Sequence, residues 1–83
     1  MDKVLVEIYI PASDEVYDVF IPLNSKCFEI LSLLSKVMTE LSKGYFIATN
    51  STVLCDRESG AYLNINMSIE ELGLKNGSKL MLL

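Results

Sequence analysis

The side chains that most often carry enzymatic chemistry are scarce in this 83-residue chain. It contains no His, so the commonest general base and metal ligand and the Ser–His and Cys–His nucleophile pairs are missing. Its two cysteines, Cys27 and Cys55, have no further Cys or His with which to complete a zinc site or hold an iron–sulfur cluster. We interpret them as buried, reduced thiols, because a free cysteine behaves as a small core hydrophobe.

The remaining polar patterns do not form a catalytic or ligand-binding motif. Adjacent carboxylates occur at Asp14-Glu15 and Glu70-Glu71, but an acid/base pair needs environments that push two pKa values apart. The four glycines have the spacing of turn residues and match neither common phosphate-binding pattern. The sequence therefore predicts a protein that is not an enzyme and that holds no cofactor and no metal.

Composition and charge narrow the class further. Seven basic residues against eleven acidic ones give a net charge of −4, and the basic residues are scattered, which argues against nucleic acid and anionic lipid as partners. No apolar run approaches the ~20 residues that cross a bilayer, and the N-terminus lacks the features of a signal peptide. We expect no membrane insertion, a cytoplasmic location and one domain over residues 1–83.

The N-terminal quarter of the chain predicts a β-hairpin. Apolar residues occupy alternate positions from Val4 to Ile10, and residues 16–21 alternate again, which is the period of a strand with two different faces. Residues 11–15 supply turn chemistry, and Pro22 ends the second strand.

The next segment predicts one amphipathic helix from about Ser25 to Ser42, capped by Asn24 or Ser25. Lys43 and Gly44 follow as stop signals. Its apolar stripe is wide enough to cover a sheet, and consists of Cys27, Ile30, Leu31, Leu34, Val37, Met38 and Leu41.

Shorter elements follow the helix. Residues 45–47 fit either a short strand or an apolar loop, whereas residues 52–56 and 61–63 predict two strands around a turn. Ser68 and Glu71 form a capping box for a single helical turn, and residues 79–83 predict the last strand. This order places the chain in the α+β class, with the helix across one face of a mixed sheet, because a long crossover allows parallel pairing with the first strand.

The stretch from Ser68 to Leu80 reads SIEELGLKNGSKL and resembles the ending of ubiquitin-like β-grasp proteins: a short helical turn, Gly-Leu, a turn and Leu-x-Leu. The hairpin and helix fit the same family over essentially the whole chain. The resemblance implies a five-stranded mixed sheet with one helix. The chain length and the strand end VFIP at residues 19–22 are most similar to the YukD/EsaB-like proteins of Gram-positive type VII (WXG100/ESX-type) secretion systems.

This resemblance implies a cytosolic accessory or regulatory component that binds other proteins without catalysis. Covalent modifiers and sulfur carriers of the same fold end in a flexible Gly-Gly, whereas this chain stops at Leu83, so covalent transfer is disfavoured. A generic ubiquitin-like adaptor is the alternative.

The candidate binding surface is the sheet face opposite the helix. The helix is expected to cover the face that bears Val4, Val6, Ile8, Ile10, Val19, Ile21, Leu80 and Leu82. If the second, first and last strands are neighbours, as in ubiquitin, the opposite face carries Leu5, Tyr9, Phe20, Met81 and Leu83. Exposed apolar patches tend to mark interaction sites, and we expect this one to bind a secretion ATPase, a membrane component or a second copy in a homodimer. Alternatively, these side chains merely cover the sheet or pack against residues 45–49.

Overall fold

Two eight-residue strands open the fold, in agreement with the alternating sequence pattern. The structure is a computed structural model that describes residues 2–83. Strand β1 (Lys3–Ile10) pairs antiparallel with β2 (Glu15–Pro22). The turn between them places Asp14 at a φ of 52°, a left-handed conformation that Asp tolerates better than most residues.

Helix α1 (Cys27–Leu41) begins later than the sequence predicts, and the predicted cap by Asn24 or Ser25 is wrong. The residue before the helix is Lys26, whose backbone N–H donates to Glu29 Oε1 at 2.9 Å. The next two backbone N–H groups donate to the carbonyls of residues 67 and 65, at 2.8 and 3.0 Å. A distant backbone segment thus satisfies amides that a helix start leaves unpaired.

The segment after α1 is a loop and not a strand. The backbone N–H of Phe46 donates to the buried hydroxyl of Ser42 at 2.9 Å, which turns the chain back towards the core. Phe46 is buried, while Tyr45 and Ile47 on either side are exposed. Of the two structures left open for residues 45–47, the apolar loop is therefore the one that forms.

Among residues 2–83 the sheet has four strands and not the expected five. Strands β3 (Leu54–Asp56) and β4 (Lys79–Leu82) complete the order β2-β1-β4-β3, with β4 parallel to β1. The predicted strand at 61–63 is reduced to one bridge between Tyr62 and Cys55. The chain leaves β3 there because residues 65 and 67 must reach the start of α1, where their carbonyls accept its first amides.

The predicted capping box is confirmed. The backbone N–H of Ser68 donates to Glu71 Oε1 at 2.8 Å, and that of Glu71 donates to Ser68 Oγ at 3.0 Å. A hydrogen bond from Leu72 N–H to Ser68 O closes a single turn, and Gly73 ends it with a φ of 75°, a conformation that glycine adopts without strain.

The core lies between α1 and one face of the sheet, as the parity of the apolar residues predicts. Every residue expected on the helix-facing side is buried, except Val19, which is half-buried against the same cluster. Both cysteines are buried, and neither forms a disulfide within residues 2–83. Burial raises the pKa of both thiols, which makes them less reactive.

Candidate functional site: the open face of the sheet

The face of the sheet that α1 does not cover is built from three rows of side chains, and we call it the open face. Strand registers place its members side by side across the strands, since paired residues point to the same side of a sheet. The first row is Phe20, Leu5 and Gly77; the second is Asp18, Glu7, Lys79 and Arg57; the third is Val16, Tyr9, Met81, Cys55 and Tyr62.

Tyr9 is held in place at the centre of the third row. Its hydroxyl donates to Asp14 Oδ1 at 3.1 Å, and the guanidinium carbon of Arg57 lies 4.1 Å from the centroid of its ring. A cation over an aromatic face is attracted by the ring quadrupole. The hydrogen bond to the Asp14 carboxylate is the main reason that the pKa of Tyr9 is raised from 10.0, and Arg57 opposes this shift.

The five residues predicted for the binding site all lie on the open face, but in two groups. Leu5 and Phe20 are register partners at one end, and Tyr9 and Met81 are register partners at the other. Leu83 lies two residues beyond Met81, outside the three rows, and its backbone is hydrogen-bonded to that of residue 53. Phe20 is 66% exposed and Leu83 is 47% exposed, whereas the other three are half-buried. The second row separates the two groups.

This charged row runs from acidic to basic across the sheet. Glu7 is the register partner of Asp18 on one side and of Lys79 on the other. Arg57 extends the row, because its backbone N–H donates to the carbonyl of Lys79 at 3.0 Å. Within residues 2–83 none of Asp18, Glu7 and Lys79 makes an ion pair or a side-chain hydrogen bond; the ion pair that the structure shows, Lys26–Glu71 at 3.8 Å, lies elsewhere.

Sequence reasoning missed the charged row of this surface and two of its exposed side chains, Val16 and Tyr62. Val16 is 45% exposed beside Tyr9, and its parity with Phe20 was the signal that could have placed it. Tyr62 is 71% exposed and joins the third row through its bridge to Cys55. No local sequence pattern predicts the position of Tyr62 or the stacking of Arg57 on Tyr9, because both depend on how β3 pairs with β4.

Other exposed apolar groups lie on the helix side of the molecule. Leu33, Val37 and Leu41 form a stripe along one flank of α1, and all three are exposed. On the other flank, Ala48 packs against the buried core, and residues 47–48 line a hollow with α1, so this loop does not cover the open face. A cleft of about 310 Å³ lies at the β3 edge of the sheet beside α1, lined by Leu31, Asn50, Thr52, Val53, Leu54, Tyr62, Leu63 and Ile65.

Within residues 2–83, no group of three or more His, Cys, Asp or Glu side chains is arranged to hold a metal ion. No helix there is long and apolar enough to span a membrane.

The comparison with solved structures shows which known fold this is. The ubiquitin-like domain of the Mycobacterium tuberculosis type VII secretion protein ECCD1 superposes with a TM-score of 0.79 at 18% identity, covering 100% of this chain and 99% of that one. The EccD5 ubiquitin-like domain from Mycobacterium xenopi gives 0.83 at 20% identity, over 100% and 94%. A chain of the MycP5-free ESX-5 inner membrane complex gives 0.75 at 20% identity, over 100% of this chain and 21% of that one.

No protein-family profile and no curated protein sequence matches the chain. The structural likeness shows that the fold is the ubiquitin-like β-grasp, with a mixed sheet and one helix. At identities of 20% or below it shows the fold alone, because one fold hosts many functions.

Proposed function

We propose that this chain is a non-catalytic ubiquitin-like interaction module that binds another protein through its open face, without covalent transfer. The observation that carries this proposal is the exposure of Phe20 beside Leu5, on a face that no other element of residues 2–83 covers. Burying an exposed phenylalanine contributes about 1.5–3 kcal/mol. A partner that covers this corner therefore gains binding energy that the isolated domain leaves unused.

The third row supplies a second anchor for the same partner. Aromatic and Arg side chains dominate the binding energy of interfaces, and here Arg57 is already stacked on Tyr9. Because the hydrogen bond to Asp14 also fixes the ring, little side-chain freedom is lost when a partner covers it. Reducing this entropy loss is how a preorganised surface gains affinity.

In this proposal the partner belongs to a type VII secretion system. This assignment is supported by the structural likeness to two EccD ubiquitin-like domains and to a chain of a secretion inner membrane complex. We place the chain among cytoplasmic accessory or regulatory components of the YukD/EsaB kind in Gram-positive bacteria. Its partner is then the secretion ATPase or a membrane component of the system.

The test is co-purification of the tagged chain with the secretion components from its own cells. Phe20→Asp combined with Met81→Asp places a charge in each apolar group of the open face, and we expect at least a tenfold loss of recovered partner. The control carries two charges on the helix side, Leu33→Asp with Ile47→Asp, at side chains that are exposed as Phe20 is. Circular dichroism must show both double variants folded.

Three results would contradict the proposal. Retention of the partner by the open-face variant, or equal losses in both variants, shows that the open face does not bind it. Capture of a protein unrelated to secretion, lost only in the open-face variant, would replace the secretion assignment with a generic adaptor. Mass spectrometry of the chain from cells distinguishes the covalent modifier, which would be found joined to another protein.

A further inference from the structure

The order of charges in the second row is antisymmetric about the middle of the sheet. Asp18 on β2 and Glu7 on β1 are acidic, whereas Lys79 on β4 and Arg57 beyond β3 are basic. The sign therefore changes on the line between β1 and β4. Within residues 2–83 the two carboxylates and Lys79 make no ion pair with one another, so all three charged ends are available to a second molecule.

A two-fold axis along this line places an acidic residue of one copy opposite a basic residue of the other. The axis lies in front of the open face, parallel to the strands and above the line between β1 and β4. Rotation about it turns a second sheet over, so that β4 of the second copy lies over β1 of the first. Glu7 then faces Lys79 of the second copy, while the Arg57 guanidinium stays over the Tyr9 ring of its own chain. A two-fold interface makes each contact twice, so Glu7 and Lys79 supply two opposite-charge contacts.

The same rotation gives Tyr9 and Leu5 of the apolar rows partners. Tyr9 comes to lie over Met81 of the second copy, since these residues are register partners across the axis. Leu5 comes to lie over Gly77 of the second copy, and a Cβ built on Gly77 would meet no atom within 4 Å. The gap at Gly77 thus has room for the leucine. Two sheets packed with aligned strands bring such side chains together across about 10 Å.

We propose that the open face of this chain binds the open face of a second copy, in a two-fold dimer with its axis between β1 and β4. This inference rests on the proposed function, because it assumes that the open face is the interaction surface; the second copy and the secretion partner then occupy that face in turn. Pairing through the free edge of β2 is the competing dimer. It is disfavoured because β2 carries Glu15 and Asp18 and no basic residue, so acidic side chains would meet.

Analytical ultracentrifugation of the purified full chain tests the dimer. A four-stranded face offers at most a standard interface of about 800 Å² per partner, so the concentration series runs to about 1 mM. Glu7→Lys and Lys79→Glu each create two like-charge contacts across the axis, and each is expected to weaken the dimer on the order of tenfold or more. Mixed in equal amounts, the two variants place opposite charges together at both ends and should form a heterodimer.

A heterodimer that appears only on mixing is the result expected. Three results overturn the inference: a wild-type chain that stays monomeric, dimers that persist in both single variants, or folded variants that fail to associate when mixed. If either variant fails to fold, Glu7→Gln and Lys79→Gln remove the same contacts without reversing a charge; each should weaken the wild-type dimer, and a dimer that neither weakens overturns the inference.

The dimer and the proposed function can fail separately. A monomeric wild-type chain whose secretion partner is lost with Phe20→Asp and Met81→Asp overturns the dimer and leaves the proposed function standing. A dimer that obeys the mixing test, together with partner capture that survives the same double variant, overturns the proposed function.

Discussion

Strand β1 presents a wholly apolar face to α1 and a mixed face, on which Lys3 and Glu7 alternate with Leu5 and Tyr9, on the other side. On the helix side Val6, Ile8 and Ile10 are completely buried, while Leu5 and Tyr9 on the open face are half-buried. The difference arises from coverage, since α1 and its flanking loops cover one face and no element within residues 2–83 covers the other. Side-chain hydrophobicity therefore supports folding on one face of the sheet and remains available for binding on the other.

The largest loss of stability is expected from a substitution on the buried face. Ile8→Ala removes a side chain that is 0% exposed at the centre of β1, and it should lower the free energy of unfolding by about 2–5 kcal/mol. The matched variant Phe20→Ala, on the open face, should lower it by about 1 kcal/mol or less, within the range of strand propensity. Urea denaturation followed by circular dichroism measures both. Equal losses would mean that the open face also belongs to the core.

The fold was predictable where a sequence pattern repeats over several residues. The hairpin, the amphipathic helix and the parity that assigns Ile8 to the core all follow from local periodicity. The capping box at Ser68 was also predictable, because its two partners are three residues apart. In each case the interaction that forms the element lies within the element or its neighbour.

Prediction was wrong where distant backbone segments meet. The start of α1 depends on carbonyls some forty residues away in the chain, at residues 65 and 67, and their position also removes the expected fifth strand. The candidate site shows the same limit. Its five apolar members follow from parity, but Arg57 and Tyr62 join it only through the pairing of β3 with β4. The charged row that divides the apolar residues is likewise visible only once the register is known.

A smaller loss of stability is expected at the capping box formed by Ser68 and Glu71. Ser68→Ala removes the acceptor of the Glu71 backbone N–H, and loss of such a cap costs about 1 kcal/mol. Ser32→Ala is the control, because Ser32 is exposed on α1 and alanine is the better helix former. Thermal unfolding compares the two variants. A Ser68→Ala chain as stable as the Ser32→Ala chain would show that apolar burial alone holds this segment.

The smallest effect concerns the ionisation of Tyr9 on the open face. The Asp14 carboxylate raises the pKa of Tyr9, first by its hydrogen bond and then by its charge, while Arg57 lowers it. Asp14→Asn should therefore move the pKa of Tyr9 down towards 10.0, and Arg57→Gln should move it further up. The pKa of Tyr17, raised mainly by desolvation and then by Glu15, provides an internal reference that neither variant should move.

NMR titration of ring-labelled tyrosine, with the Tyr9 signal assigned by Tyr9→Phe, measures these shifts. Opposite movements in the two variants would show that Tyr9 is held from both sides in solution, as a preorganised anchor requires. Shifts of the same sign, or none, would mean that the ring is mobile. The open face would then keep only Phe20 and its apolar neighbours as a binding surface, and a partner would have to bear the entropy cost of ordering Tyr9.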